Sequence, residues 1–582
     1  MDKRAKQAIL GSLFVLLIMI GLGAAALVRY FSPGKEWMEL SDYYSVPEGE
    51  ALLILDDRVH SENARLVDGR IYVDLETVKE YFNHRFYWDE NEQQLTLATP
   101  TEIIRAADGE QGRYADKDAP LEDHAVVRVL DGEVYLSLEF AAEYSDISYQ
   151  AYAASAEEGG PVQRVVVTCV HGDYLYVDTT KKTQIRAEAD RKSEILKEVP
   201  PQEGLMLLDG GGTQQNSFLK VMTSDGVRGY VNKRHVGDGY FRKISSSYQA
   251  PEYTVLHENS KINLVWHYVE TAAANQRLAD LMKEASGVNV ISPTWFRLNG
   301  SSGDFSSIAD SQYVDTAHSM GLKVWGLVKN FDTGSEVDTY QVLSRTSSRD
   351  RLTEGLVQEA LRFGLDGINV DFEMLSVESG PHFIQFLREL SVKCRINGLV
   401  LSVDNYVPAS YNRFYDYEEQ GEIVDYVIIM AYDEHTSISE NAGSVASIGY
   451  VEKAITDTLA MVPADKIVVG IPFYTRLWKE TADGDATRIG IAETPFMSSA
   501  EALVEEQGAT PVWDEDSAQY YAEYEKNGAL YRIWLEEERS IGEKVKRVAQ
   551  NGLAGVAAWR LGQEKAGVWS VIWKNLNDPD VR

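Results

Sequence analysis

The sequence predicts an α/β protein whose C-terminal part is a (β/α)8 barrel, and three observations predict it. From residue 253 onward, short apolar runs recur as "INLVWHYV" at Ile262, "VNVIS" at Val288, "KVWGLV" at Lys323, "GINVDFE" at Gly367, "LVLSVDNYV" at Leu399, "DYVIIMAYD" at Asp425, "KIVVGIPFY" at Lys466 and "GVAAWRL" at Gly555. Most are separated by helix-like text. Parallel strands covered on both faces read as nearly continuous apolar runs, and eight of them alternating with helices fit a closed barrel spanning 253–578. The second observation is the interval between the seventh and eighth runs, too long for one crossover helix, which predicts an α+β insertion near 478–535. Its Trp478, Trp513, Tyr520, Tyr521 and Trp534 suit either a core or a sugar-stacking face. The third is a polar row at the end of the fourth run, taken up below.

The elements before the barrel follow in order. Ala8 to Val28 is an uncharged stretch, about 31 Å long as a helix at ~1.5 Å per residue and enough for a hydrocarbon core of about 30 Å. Lys3, Arg4 and Lys6 precede it. Residues 1–30 are therefore expected to be a cytoplasmic tip and an uncleaved signal anchor of the cell membrane, with everything after about residue 30 outside. The small residues Ala24 to Ala26 leave processing as the alternative.

Between 45 and 170 the text repeats. "LVDGRIYVDLETVKEYF" at 66–82 is echoed by "VLDGEVYLSLEFAAEYS" at 129–145, each a strand, an Asp-Gly turn, a second strand and a short helix. This resembles the small domain named after the copper amine oxidase N-terminus, a stalk module of Gram-positive surface proteins. The resemblance implies a spacer or weak wall-binding unit, and no histidine cluster here suggests copper. Residues 174–237 alternate short strands with glycine turns. Ile185-Arg186 and the closing "GVRGYV" resemble a bacterial SH3-like domain. A generic all-β spacer is the alternative, since a fold by itself does not demonstrate binding. Residues 238–252 read as a linker.

Composition removes several function classes. The formal net charge of -34 and pI near 4.7 argue against nucleic acid, because phosphate binding needs a basic surface. Cys169 and Cys394, the two cysteines, fall in different segments and cannot build a disulfide framework. His267, His382 and His435 are scattered without metal-ligand spacing, so neither a metal nor another cofactor is expected. No obligate protein partner is evident.

The fourth run, "LDGINVDFEML", places Asn369, Asp371 and Glu373 on one face of a strand and Ile368, Val370 and Phe372 on the other. In a barrel the apolar row packs on the helices and the polar row points inward. Burying such a row is unfavourable without a function or full hydrogen bonding, and the C-terminal strand end is where barrel active sites sit. The alternative is a strand with one wet face.

"DGINVDFE" resembles the signature of glycoside hydrolase family 18, the chitinase-like family, in which an Asp-Gly-x-Asp-x-Asp-x-Glu motif on the fourth strand ends on the catalytic acid. "VDYVIIMAYD" at 424–433 resembles that family's sixth strand and "GVAAWRLG" at 555–562 its eighth. "INVDFE" and "AAWRLGQE" look most like the branch of bacterial spore and cell-wall N-acetylglucosaminidases. The resemblance implies that Glu373 is general acid and then base. Asp371 would hold the 2-acetamido N–H, and Tyr432 would donate to the acetamido oxygen, which is itself the nucleophile. Met430 and Asp433 would line the subsite and Trp559 would form its floor. Asn369 stands where many members of the family have aspartate. As an amide beside Asp371 it is expected to keep that carboxylate ionised.

The implied activity is hydrolysis of β-1,4 bonds after N-acetylglucosamine. Peptidoglycan is favoured because anchor, stalk and SH3-like region would hold the barrel against a wall. Chitin or an N-glycan is the enzymatic alternative. A non-catalytic chitinase-like lectin is the alternative of another class, opposed by retention of Glu373.

Overall fold

The computed structural model describes residues 2–115, 120–153, 162–209, 214–215, 217–331, 337–483 and 486–577. They fall into two compact units, one of residues 1–86, 106–112 and 122–250, the other of 87–105, 113–121 and 251–582.

The first unit begins with the helix Lys3–Phe31, which among the described residues is the one long and apolar enough to cross a membrane. The repeat is visible in the sheet that follows. The hairpins Ala64–Val67/Arg70–Asp74 and Val127–Leu130/Glu133–Ser137 pair with each other through their second strands, with Val73 opposite Leu136. Each turns on a left-handed Asp-Gly pair, φ 51° and 79° at Asp68-Gly69 and 55° and 90° at Asp131-Gly132. Such turns match the twist of the flanking strands. Each hairpin then runs into a helix capped by its last strand residue, Asp74 accepting from Thr77 N–H and Ser137 from Phe140 N–H.

A second sheet of the same unit is antiparallel throughout its paired strands. Its last strand, Val236–Ile244, pairs with Gly172–Thr179 and so occupies the front of the span read as linker, 238–252. The polar, glycine-containing text hides it because most of the strand is exposed and shows no apolar period.

In the second unit all eight barrel strands lie where the apolar runs place them: β1 Ile262–His267, β2 Val290–Pro293, β3 Lys323–Lys329, β4 Gly367–Asp371, β5 Val400–Asn405, β6 Tyr426–Met430, β7 Ile467–Pro472 and β8 Gly555–Trp559. Each pairs in parallel with its neighbours, and β1 pairs with β8 to close the ring. The outward row Ile368, Val370 and Phe372 packs on the helices; the Phe372 and Phe386 rings stack at 5.4 Å. The interior is filled by Leu264, Trp266, Trp325, Leu327, Tyr426 and Ile428, among others. It is crowded enough that a Cβ on Gly367 would lie 2.6 Å from the Val400 carbonyl oxygen.

The insertion spans Leu477 to Leu535 as a five-stranded antiparallel sheet with the helix Met497–Glu506. Its own core includes Leu477, Ala500, Val504 and Ile533. The insertion aromatics pack within the structure. Trp478 is buried and donates to Gly443 C=O at 2.8 Å, Arg539 lies 3.5 Å over Trp513, and Tyr521 meets Trp534 at 4.9 Å.

Residues 87–105, inside the span read as a stalk, stand with the barrel. Asp89 is fully buried and accepts from the backbone N–H and, at 2.7 Å, the hydroxyl of Thr346, the first residue of the helix Thr346–Phe363. Arg105 forms a two-point pair with Asp350 on that helix. Arg349, also fully buried, lies between Glu389 at 3.2 Å and the Tyr87 ring at 4.8 Å. Such a docking is written in single polar residues, not in a hydrophobic period, so the sequence does not announce it. Asp89 supplies the cap that Arg345, at the N-cap position, does not. Asp89→Ala is expected to orphan these donors and destabilise the catalytic unit by about 2–4 kcal/mol, read as a fall in the thermal midpoint of the full chain.

Candidate active site

A cleft of about 540 Å³ opens at the C-terminal ends of the strands. Of the residues singled out from the sequence, Asp371, Glu373, Met430, Tyr432, Asp433 and Trp559 line it. Asn369 lies buried beneath them.

Asn369 ties four strands together. Its amide oxygen accepts from Trp266 Nε1 on β1 and Ser292 Oγ on β2, both at 3.0 Å, and its amide nitrogen donates to Asp404 Oδ1 on β5 at 2.8 Å. The expectation that this amide holds Asp371 ionised is corrected here: its N–H goes to Asp404, across the β4–β5 pairing. Asp371 is left with Oδ1 buried and without a hydrogen-bond partner among the described residues. Burial first, then Glu373 and Asp404, push its carboxyl well above the usual range, against a smaller opposing pull from Lys329. Burial and Glu373 also push Asp404 up, to about 8, although the Asn369 N–H favours its ionised form.

Glu373 lies two residues past the end of β4, and its backbone is held on both sides by one amide. Asn330 Oδ1 accepts from Glu373 N–H and Asn330 Nδ2 donates to Glu373 C=O, each at 2.9 Å. Its carboxylate Oε2 accepts from Tyr406 O–H at 2.7 Å. Burial raises the Glu373 pKa and Asp433 adds to it, while the Tyr406 hydrogen bond works the other way. Tyr432 keeps its proton, since burial, Tyr474 and the carboxyls push its phenol well above the ordinary value. Asp433 accepts from Tyr474 O–H and pairs with Arg476 at 2.7 Å. The Trp559 ring stands edge-on to Trp266 at 6.0 Å and to Tyr268 at 6.3 Å.

Sequence reasoning missed Asn330, Asp404, Tyr406 and Lys329. A signal existed for two of them. Ser402, Asp404 and Tyr406 alternate along β5 and just past its end as Asn369, Asp371 and Glu373 do along β4 and just past its end. Lys329 and Asn330 show only as polar residues closing the apolar run of β3.

The histidines do not converge. His267 meets Tyr313 O–H at 2.9 Å with its pKa pushed down to about 4 by burial, His382 meets Tyr87 O–H at 2.7 Å, and His435 meets Ser444 C=O at 2.9 Å. Among the described residues, ligand-type atoms come together at Glu122, Asp123 and His124, outside the barrel.

Carboxyls whose pKa is raised in the folded state stabilise the fold below their unfolded value near 4, and that contribution is lost as pH rises through the folded value. With Asp404 at about 8, thermal stability is expected to decline between roughly pH 4 and 8. Asp404→Asn, which removes one of the crowded charges, should flatten this slope and raise neutral-pH stability on the order of 2 kcal/mol. A melting series across that range checks it.

Residues 296–564 match the family described as glycosyl hydrolases family 18. The uncharacterized glycosylase YvbX of Bacillus subtilis is 27% identical over 321 residues, 52% of this chain and 88% of its own length. The cortical fragment-lytic enzyme of the same organism is 29% identical over 245 residues, 40% of this chain and 56% of its own. A solved chitinase from Chromobacterium violaceum aligns with a TM-score of 0.48 at 24% identity, covering 55% of this chain and all of that one. The match lies within the barrel that carries the acidic cleft at its strand ends, and the chain is a glycoside hydrolase whose barrel is similar to that family.

Proposed function

We propose that the domain cleaves peptidoglycan on the reducing side of N-acetylglucosamine, by substrate-assisted catalysis with retention of configuration. The observation that carries this reading is the buried Asp371 Oδ1, an acceptor without a partner among the described residues in a cleft shared with a protonated phenol, Tyr432. A lone acceptor and a lone donor on one floor suit a secondary amide, N–H to Asp371 and C=O to Tyr432. Trp559 offers a flat apolar face for the sugar ring.

In the first step Glu373 gives its proton to the glycosidic oxygen as the bond to C1 breaks, and the acetamido oxygen closes on C1 to form an oxazolinium ion. Asp371 stabilises that cation. Glu373, now a carboxylate, takes a proton from water as the water oxygen attacks C1 and the ring reopens. Each face of C1 is used once, so configuration is retained. Burial raises the Glu373 pKa and so keeps a proton on this acid toward neutral pH.

The choice of polymer rests on two supports. One relative is named for lysis of cortical fragments. The Lys3–Phe31 helix, with Lys3, Arg4 and Lys6 at its start, would act as a membrane anchor presenting the barrel to a wall. The repeat unit and the SH3-like sheet would then serve as spacer or wall-contact modules.

Mass spectrometry of fragments released from purified peptidoglycan and from chitin oligomers tests this directly. New reducing ends should be N-acetylglucosamine of initially retained configuration, and de-N-acetylated strands should resist. Muramic acid reducing ends would overturn the bond assignment, and an inverted first product would overturn substrate assistance. Glu373→Gln should lower turnover by at least about 10² to 10⁴ while glycan binding persists.

Tyr406→Phe isolates the acid's pKa. Loss of the hydroxyl that favours the Glu373 carboxylate should raise that pKa, so the alkaline limb of the kcat/KM profile should move to higher pH. A limb that stays in place or moves down would remove Glu373 from the role of acid.

A further inference from the structure

On a chain of net charge -34, one flank of the cleft brings cationic side chains together among the described residues. Lys329 closes β3 and lines the cleft while nearly buried. Its Nζ donates to Glu270 Oε1 at 3.1 Å. The other oxygen of Glu270 accepts from Arg297 at 2.7 Å. Arg560, next to the floor residue Trp559, lies 4.4 Å over the face of the Tyr268 ring, and Lys329 lies 5.5 Å from the same ring. Tyr268 lines the cleft and meets Trp559 edge-on. Among the described residues, Lys329 and Arg297 thus share one carboxylate, and Arg560 stands over the aromatic platform beside them. The carboxyls of the reaction, Asp371, Glu373 and Asp404, sit on β4, its end and β5.

A nearly buried ammonium in a sugar cleft calls for an explanation, since neutral glycans need no cation and desolvating a charge is unfavourable without a partner. Glu270 meets part of that need but is itself shared with Arg297. An anionic group on the ligand would meet the rest. The glycan chemistry provides one. In peptidoglycan every N-acetylglucosamine is flanked on both sides by muramic acid, whose lactyl ether ends in a carboxylate when no peptide is attached and in a neutral amide when one is.

We propose that Lys329, supported by Arg560 and Arg297, is a specificity determinant that recognises the free lactyl carboxylate of the muramic acid next to the reacting N-acetylglucosamine. The inference rests on the peptidoglycan reading above and adds to it which strands are taken. They are strands whose muramic acids have lost their peptides, so a reaction hydrolysing the amide between muramic acid and peptide must supply the substrate. Arg560 contributes through the Tyr268 platform and Arg297 by drawing on Glu270, so that Lys329 keeps charge to offer.

The test compares three glycans of equal length with the full chain: peptide-free peptidoglycan oligosaccharides, the same strands with their lactyl carboxylates converted to methylamides, and chitin oligomers. A hydrogen bond to a charged group predicts that methylamidation raises KM about tenfold or more in the wild type, with a much smaller change in kcat. The effect should shrink with added salt. In Lys329→Gln the KM ratio of amidated to free strands should fall toward one. A Lys329→Gln protein with altered kcat on all three glycans but an unchanged ratio would show that Lys329 acts only through the charge of Asp371, and would overturn the proposal. Equal wild-type KM for free and amidated strands would overturn it while leaving peptidoglycan as substrate. Cleavage confined to chitin oligomers would overturn the peptidoglycan reading itself, and this inference with it.

Discussion

The structure of the cleft turns on a problem of crowding: three carboxyls, Asp371, Glu373 and Asp404, share one poorly solvated site at the ends of two adjacent strands. They cannot all ionise there, and their protonation belongs to the group as a whole. Asn369 makes the arrangement tolerable. A fourth carboxyl at that position would add charge, whereas the amide accepts from Trp266 and Ser292 and donates to Asp404 with a single neutral group. The substitution of amide for acid is therefore a matter of the layer beneath the cleft, and Asp371 Oδ1 keeps no hydrogen-bond partner among the described residues.

How much of this was legible follows from which signal each residue sends. The eight barrel strands are legible because strands covered on both faces must be apolar throughout, and each run reappears as a strand of the ring. The insertion is legible from chain length alone. Glu373 and Asp371 are legible because polar residues at period two break an apolar run. Asn330 and Lys329 are harder to see, since they act from the end of β3 and their pairing depends on barrel closure. The partner of Asn369 was misread for the same reason. Along one strand Asp371 is its neighbour at two residues, but the hydrogen bond goes sideways to Asp404.

The loops that carry the cleft are held from outside the barrel. The segment after β6, which bears Asp433, is fastened to the insertion at several points. Arg476 reaches Asp433 and the His435 carbonyl, Trp478 donates to Gly443 C=O, and Ser444 bonds Gln519. Gln519 in turn donates to Glu536, whose carboxylate meets Lys544 at 2.7 Å in a buried pair. An insertion of this kind is thus a buttress for a subsite wall, consistent with aromatic residues that pack on protein. The hairpin of residues 87–98 does comparable work at the helical side, where Asp89 caps the helix that leads into β4.

Charge is distributed in the cleft with opposite signs for opposite tasks. On the proposed mechanism the acid side needs little solvation and few cations, because Glu373 must hold its proton until it reacts and a strong positive neighbour would strip it. Among the described residues Lys329 is the cation that acts on Asp371, and its pull is the smallest of the influences on that carboxyl. Glu270 accounts for this restraint: by pairing with Lys329 it draws the ammonium's field toward β1 and away from β4. Burial would raise the Glu270 carboxyl, but Lys329 and Arg297 hold it below the usual range. On the proposed reading, the flank can then offer Lys329 to an acidic ligand while the Glu373 pKa stays raised by burial.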